Sequence, residues 1–341
     1  MILVFTIEHE YSTSRVINWL NKMGEEVIRL NADDDNYKFE KIDESGIYFR
    51  NVFSDRLFNL SEAKACWWRR RGISERNLIN EDKKKSLSVE TFDITPLIDG
   101  SRRNDIFRNE ANRLIEYIYT NIYLNCPINL GRPIFNLNRL VVIDIAKRNG
   151  LMVPPYNVVT CGQQITKAVE KYNACVTKAI SNGVMEQIEN YRFYTYTELV
   201  ESELIEEAKL GYNYFPSIMS QKIEKAMEVR TFYIEGQFYS MSICSQNDKQ
   251  TAIDFRKYNT RKPNRTEPYK LPHEIESKIK CVFNDLNLNC GSVDFIVDKD
   301  GNYVFLEINP VGQYAMVSDP CNYNLDKLIA NFLRYGRNGI N

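Results

Sequence analysis

Histidine is scarce in this chain: two residues, His9 and His273, among 341. A His-based zinc centre and a Ser-His-Asp triad both need histidines grouped with partners, so neither is expected. Net charge is also nearly absent. The 44 Lys and Arg stand against 45 Asp and Glu, a formal charge of −1. No global field draws such a chain to nucleic acid or to a membrane surface, neither is expected as a partner, and each basic cluster has to be judged singly. The eight cysteines form no CxxC pair and read as reduced thiols of a cytoplasmic protein. No apolar run approaches the length of a membrane span. The opening MILVFTI has no basic leader or cleavage site and reads as a strand rather than a signal peptide. There is no GxxxxGK followed by Ser or Thr, no GxGxxG, and no HRD or DFG set. P-loop, dinucleotide and protein-kinase chemistry are therefore not assigned.

A chain of 341 residues exceeds one ordinary core, so two or three domains are expected. MILVFTI, a helix over 12–23 ending at Gly24 and a strand in VIRLNAD make a βαβ start, the mark of a small open α/β domain. Short strands follow in YKFEKI and GIYFRNV, then ACWWRRRG. Its Arg69, Arg70 and Arg71 are suited to an anion, to acids such as Glu110, or to solvent, and pairing or an interface role is preferred. A long helix over 99–123 turns Ile106, Leu114, Ile118 and Ile122 to one face. CPINLGRP reads as a linker. Asn138 can cap a helix over 139–149 closed by Gly150. ACVTKAI is an apolar strand carrying Lys178, followed by a turn at Ser181-Asn182-Gly183. NYRFYTYT is an aromatic strand and 198–210 an acidic helix. Glu235-Gly236 closes a hairpin whose first strand sets Glu228 and Arg230 on one face, and 253–259 adds Asp254 and Arg256. Helices are expected over 271–286 and 325–335.

The most informative stretch is 292–310, SVDFIVDKDGNYVFLEINP. Asp300-Gly301 favours a tight two-residue turn. That turn sets Lys299 opposite Asn302, Val297 opposite Val304 and Asp294 opposite Glu307, with Asn309 on the same side as Glu307. Val293, Phe295, Val297, Val304, Leu306 and Ile308 are expected on the core face. Two carboxylates facing each other repel unless a cation lies between them. Asp, Glu and an Asn carbonyl are hard oxygen ligands of the kind Mg²⁺ takes together with phosphates. Lys178, Arg230 and Arg256 would supply the charges that hold a nucleoside triphosphate.

DFI and LEINP spaced in this way, with QKIEKAMEVRTFYIEG upstream, resemble the ATP-grasp superfamily. The whole chain resembles the ATP-grasp ligases that mature ribosomally made peptides (the graspetide or microviridin type), and most of all the grasp-with-spasm subset. The resemblance rests on CWWRRRG, NRLVVIDIAKRNGLMVPPYNVVT, EKAMEVRTFYI, Ser245-Gln246, DFRKY and LEINPVGQY…CNYNL.

That resemblance implies an α/β (α+β) protein of three domains: 1–128 an N-terminal open α/β domain, 129–205 a central ATP-grasp subdomain, and 206–341 a C-terminal subdomain with the Mg²⁺-ATP site. It implies ATP and Mg²⁺ as cofactors. The partner is a ribosomally made precursor peptide, with a leader and a core rich in Thr, Ser or Lys and in Glu or Asp. A homodimer is compatible with it. The implied reaction phosphorylates a side-chain carboxylate, and a hydroxyl or amine of the same peptide then displaces phosphate to close an ω-ester or ω-amide ring. By resemblance, Asp294, Glu307 and Asn309 are the metal ligands. Lys178 lies near the α/β-phosphates, and Arg139 stands where relatives often carry lysine. Gln221, Lys222 and Ile223 meet adenine and Glu224 the ribose. Arg230 and Arg256 face the transferred phosphate or acyl group, and Asp254 orients Arg256 or takes the nucleophile's proton. Glu228 is suited to pairing with a neighbouring cation. Tyr191, Phe193, Tyr194 and Tyr196 are candidates for the leader surface or for ordinary strand packing. A ligase acting on free amino acids or protein termini and a non-catalytic nucleotide-binding regulator are the alternatives.

Overall fold

In the computed structural model the described residues are 1–78, 100–181, 185–188, 191–194, 196–246, 248–257 and 259–340. They fall into two compact units, Met1–Phe135 with Asn324–Asn341, and Asn136–Tyr323.

The first unit opens with β1 (Ile2–Thr6), α1 (Tyr11–Lys22) and β2 (Val27–Asn31), the expected βαβ. All five residues of β1 are buried, because a parallel strand is covered on both faces. β3 (Tyr37–Asp43), β4 (Gly46–Asn51) and β5 (Leu57–Asn59) make a separate antiparallel sheet. β6 (Ala65–Trp68) returns beside β1. A short α2 (Glu75–Leu78) and the long α3 (Gly100–Asn125) precede β7 (Ile128–Leu130). The parallel sheet runs β2-β1-β6-β7. CPINLGRP, expected as a linker at the 128/129 boundary, thus contains a strand: Pro and Gly flank a three-residue β7 that completes this sheet. On the buried face of α3, Ile118 and Ile122 are buried as expected, Leu114 packs half-buried on the same core, and Phe107, Ala111 and Ile115 are buried where Ile106 is only half-buried. Phe5 and Trp68 stack between the layers with centroids 4.3 Å apart. Residue 99, the expected helix start, lies outside the described residues.

Arg69 and Arg70 converge on Glu10 rather than Glu110, at 2.8 and 3.0 Å, and Arg71 donates to Asn112 Oδ1 at 2.8 Å. Burial alone would raise the Glu10 carboxyl. The two guanidiniums outweigh it and pull it down to about 2.

The second unit holds two larger antiparallel sheets and a separate two-stranded hairpin. After α4 (Arg139–Arg148), capped as expected by Asn138 Oδ1, come β8 (Tyr156–Cys161), α5 (Gly162–Tyr172), β9 (Cys175–Lys178) and the hairpin β10 (Met185–Ile188)–β11 (Tyr191–Tyr194). Residues 182 and 183 of the expected turn lie outside the described residues. The acidic helix expected over 198–210 divides: Glu198–Leu199 is strand β12, paired with β9, and helix α6 is Ser202–Lys209. β13 (Asn213–Gln221) then closes a sheet of order β12-β9-β13-β8.

Beyond Lys222–Glu224 the second sheet begins: β14 (Lys225–Ile234), β15 (Gln237–Cys244), β16 (Arg265–Tyr269), helix α7 (His273–Asp285), β17 (Cys290–Asp298) and β18 (Tyr303–Asn309), in the order β16-β15-β14-β17-β18. Its core joins Val229, Tyr233, Val293, Phe295, Phe305 and Ile308 to α7 and α4. The chain ends with α8 (Ala315–Cys321) and α9 (Leu325–Tyr335). α9 clusters with the first unit, where Arg334 Nε meets Glu25 at 3.2 Å and Asp326 meets Arg15 at 2.5 Å. All eight cysteines are free. Among the described residues no helix is long and apolar enough to cross a membrane.

Candidate active site

The expected face-to-face acids are present, by a different route. β17 and β18 are joined by a four-residue loop, Lys299–Asn302, not by a two-residue turn, so Val297 pairs with Tyr303 and Ile296 with Val304. A bulge after Asp294 then adds one residue to β18 and restores the expected register: Asp294 faces Glu307, and Ser292 faces Asn309. The bulge also re-aims two side chains. Phe305 takes the core position expected of Leu306, while Leu306 turns to the cleft together with Ile296.

That cleft, about 570 Å³ to its open mouth, lies between the two sheets of the second unit. Pro154, Val176, Ile223, Ala252, Ile296 and Leu306 form an apolar slot, with Gln221 and Lys222 at the segment joining the sheets. At its inner end Lys178, Glu228, Asp254, Arg256, Asp294 and Glu307 enclose a polar chamber of about 320 Å³. Arg139 and Asn309 border Glu307 from an adjoining cavity of about 380 Å³.

Charges at that end are matched in pairs. Lys178 Nζ reaches Glu307 Oε2 at 2.9 Å, and Arg139 Nη2 reaches the same oxygen at 3.3 Å. Arg139 also donates to the carbonyls of Ala179 and Ser181. Arg230 Nη1 holds both Asp294 oxygens, at 3.2 and 3.0 Å. Arg256 forks onto Asp254 at 2.9 and 2.5 Å, and the Asp254 carboxylate also accepts from the Arg256 and Thr197 backbone N–H. Glu228 accepts from Lys225 and, at 2.6 Å, from Ser245. For Asp294, burial, with Glu307 and Glu228 adding to it, outweighs Arg230 and lifts the carboxyl to about 6. Burial also opposes ionisation of Glu307, but Lys178 and Arg139 overcome it and hold it far below the usual range. The Asp254 carboxyl also lies below its ordinary value: Arg256 more than offsets burial.

The fold thus brings Lys178, Arg256, Asp254, Asp294 and Glu307 to one end of one cleft, with Arg230 paired to Asp294 and with Arg139 and Asn309 in the adjoining cavity, and Gln221, Lys222 and Ile223 to the other end. Glu224 is outside its lining. It is exposed and paired with Lys222 at 2.5 Å and Lys299 at 3.7 Å. Sequence reasoning passed over Thr197, which lines the cleft, while Glu228 pairs with a neighbouring cation as expected, and that cation is Lys225. Of the four aromatics considered as a leader surface, the side chains of Tyr191, Phe193 and Tyr194 lie outside the described residues. Tyr196 sits under Arg256 and Lys257, whose cationic groups are 5.9 and 5.8 Å from its ring.

The residues present fit a magnesium-bound nucleotide. Two hard carboxylates face each other with an amide alongside, although the Asn309 oxygen already accepts from the Val311 and Gly312 N–H at 3.0 and 3.3 Å. Among the described residues no group of three or more His, Cys, Asp or Glu could hold a metal ion, so the pair would need Asn309 and the phosphates as further ligands. Arg230 Nε and Ser292 Oγ are buried without a hydrogen-bond partner beside the acid pair, capacity that a polar ligand would fill.

Two antiparallel sheets gripping a cleft of this kind define the ATP-grasp fold. Particular solved structures share it across nearly the whole chain. The macrocyclase MdnC bound with precursor peptide MdnA, from Microcystis aeruginosa MRC, superposes with a TM-score of 0.74 at 22% identity, covering 98% of this chain and 99% of that one. The Chryseobacterium gregarium RiPP-associated ATP-grasp ligase, in complex with ADP and a leader and core peptide, does so with 0.76 at 21% identity, covering 98% and 96%. The ATP-grasp ligase PsnB complexed with minimal precursor, Mg and ADP gives 0.69 at 14%, again covering 98% and 96%. No protein-family model and no curated protein matches the sequence.

Proposed function

We propose that this protein is an ATP-dependent, ADP-forming carboxylate ligase that closes rings in a ribosomally made precursor peptide by joining side chains through ω-ester or ω-amide links. The observation that carries the ligase reading is the Asp294–Glu307 pair set among Lys178, Arg139, Arg230 and Arg256 at the end of an apolar slot. The peptide reading is supported by the full-length likeness to ligases solved with their precursor peptides.

In this reading the slot at Gln221, Lys222 and Ile223 receives the adenine, and the polar chamber receives the phosphates. Asp294, Glu307 and Asn309 would hold Mg²⁺, which supplies charge neutralisation between the phosphates. Lys178, Arg139 and Arg230 bind phosphate oxygens. A carboxylate oxygen of the peptide attacks the γ-phosphorus and ADP departs. A hydroxyl or amine then attacks the acyl carbon, phosphate departs with the C–O bond electrons, and the nucleophile's proton passes to the departing phosphate. Arg256, half-exposed at the chamber, steadies the charge that develops on the acyl oxygens. Of the two roles considered for Asp254, orientation of Arg256 is the supported one: both oxygens are occupied and the depressed carboxyl is a poor base. Lys225 and Glu228 support the slot wall. The exposed position of Glu224 leaves it free to reach a ribose only by leaving Lys222.

We read the second unit as holding the two ATP-grasp subdomains and the first as the N-terminal domain, with Asn324–Asn341 clustering in the first unit rather than in the 206–341 subdomain expected. The substrate core is taken to combine Thr, Ser or Lys with Glu or Asp, the site of action to be the cytoplasm, and a homodimer to be an admissible assembly. Incubation with ATP, Mg²⁺ and a Thr/Glu-rich precursor peptide tests the function. Loss of one water, roughly 18 Da, per ring with ADP release is the expected result. ADP release with free amino acids and no peptide would replace it with the amino-acid ligase.

A further inference from the structure

The segment that follows the cleft is unevenly charged. From Arg256 to Lys270 six side chains are basic and one, Glu267, is acidic, in a chain of net charge −1. A run of this kind is ordinary when nearby acids answer it. Some half-buried cations elsewhere are answered, Lys38 by Asp35, Arg50 by Glu40 and Lys278 by Glu274, while exposed Arg148, Lys167 and Lys280 make no ion pair among the described residues. Within the segment, Lys257 pairs with Glu198 and Arg265 with Glu267. Arg261 and Lys262, with Lys249 from the preceding loop, are unanswered as a group on two linked turns. All three are exposed and make no ion pair among the described residues. Asp248 feels Lys262 without pairing with it, because its carboxylate is engaged by Asn259 Nδ2 at 2.7 Å and the Gln250 N–H at 2.9 Å.

The three cations are held together. Asn259 bonds Asp248 through its amide nitrogen and accepts from the Arg261 and Lys262 N–H, at 3.1 and 3.2 Å, through its oxygen. One asparagine thereby ties the turn bearing Lys249 to the turn bearing Arg261 and Lys262. The base of this double turn is fastened to the cleft wall. Thr251, fully buried, lies 2.9 Å from the Ser245 carbonyl and 3.0 Å from Asn264 Oδ1. The next residues, Ala252 to Arg256, line the cleft.

We propose that Lys249, Arg261 and Lys262 form a docking strip for an acidic stretch of the peptide substrate, beside the chamber in which one of its carboxylates is activated. The inference rests on the ligase reading given above. A substrate that supplies several carboxylates to one site is polyanionic along its length, and the strip offers it positive charge that no acid of the protein has claimed. Because these cations are exposed, they act on encounter and on salt-sensitive affinity rather than on the chemical step.

The test uses the full chain, a fluorescein-labelled peptide of alternating Thr and Glu, and the triple variant K249E/R261E/K262E. Wild type is expected to bind the peptide with an affinity that falls as salt rises. The variant should lose about tenfold or more at low salt, with ADP–Mg²⁺ affinity unchanged. A precursor that is cyclised by wild type should show the same rise in KM with kcat preserved. Equal peptide affinity in the variant would overturn the strip while leaving ring formation, and so the ligase reading, intact. Equally strong variant-sensitive binding of a fluorescein-labelled oligonucleotide would also overturn it, as a general polyanion patch. If wild type cyclises no precursor, the ligase reading falls and the direct binding result still decides the strip.

Discussion

In the proposed reading the Glu307 carboxylate occupies the cations that would bind the nucleotide's phosphates. It takes Lys178 at 2.9 Å and Arg139 at 3.3 Å, with its own side chain 24% exposed and theirs 20% and 13%. Phosphates must compete for those cations against a fixed negative charge, unless a divalent cation binds the carboxylate at the same time. Glu307→Gln removes the competitor and leaves the cations. A hydrogen bond between charged groups contributes about 1.5–3 kcal/mol, and roughly one such bond is released to the ligand. ADP titrated calorimetrically in EDTA should therefore bind Glu307→Gln roughly ten- to a hundredfold more tightly than wild type. Added Mg²⁺ should strengthen ADP binding strongly in wild type and little in the variant, since the gain is a coupling between two ligands and is reciprocal. Equal or weaker metal-free affinity in the variant, with an unchanged thermal midpoint, would refute the reasoning. So would an undiminished Mg²⁺ effect.

Asp294→Asn should reduce turnover by about a hundredfold or more while leaving a folded protein; a near-normal rate at saturating Mg²⁺ would remove Asp294 as a ligand. Arg256→Ala should slow ring closure by about a hundredfold with ADP affinity largely kept, and a loss confined to ATP affinity would make Arg256 a nucleotide contact. Glu10 predicts acid sensitivity in the first unit. Its folded carboxyl titrates near 2 against an ordinary 4.5, so the stabilisation is complete above about 4.5 and is lost as pH falls toward 2. Denaturant titrations should show on the order of 2–3 kcal/mol disappearing across that window, and Glu10→Gln should flatten the dependence. Gly72 has φ +71, and a Cβ there would lie 2.6 Å from that of Phe5, so Gly72→Ala should cost about 1–3 kcal/mol by the same measurement.

Several elements were legible because local chemistry and tertiary environment agree on them. The five apolar residues of β1 can only be a covered strand. Asn138 bonds the Leu140 and Val141 N–H as an N-cap should. α9 spans the residues its apolar periodicity marks. Less was legible where a choice depended on distant partners. The alternation of Asp294, Leu306 and Glu307 does not reveal a bulge, because an inserted residue leaves composition unchanged while it flips the faces beyond it. The longer loop and the bulge each shift the register by one, in opposite directions, and they cancel at Asp294 and Glu307 but not at Leu306. The same limit applies to Arg69 and Arg70. Their charge demands an acid, but whether it is Glu10 or Glu110 depends on which loop the parallel sheet brings to the end of β6.

The sequence by itself determined the inventory: which strands are covered, which helix ends are capped, and that two acids, an amide and several cations lie on segments able to face one another. Those outcomes follow from interactions within a few residues or from the alternation of a single strand. Only the tertiary structure decided the distant pairing: Glu307 with Lys178 and Arg139, Asp294 with Arg230, and Glu224 outside the cleft. Charge attraction is non-directional and indifferent to sequence separation, so distant partners are chosen by strand pairing within a sheet and by the packing of the elements around it.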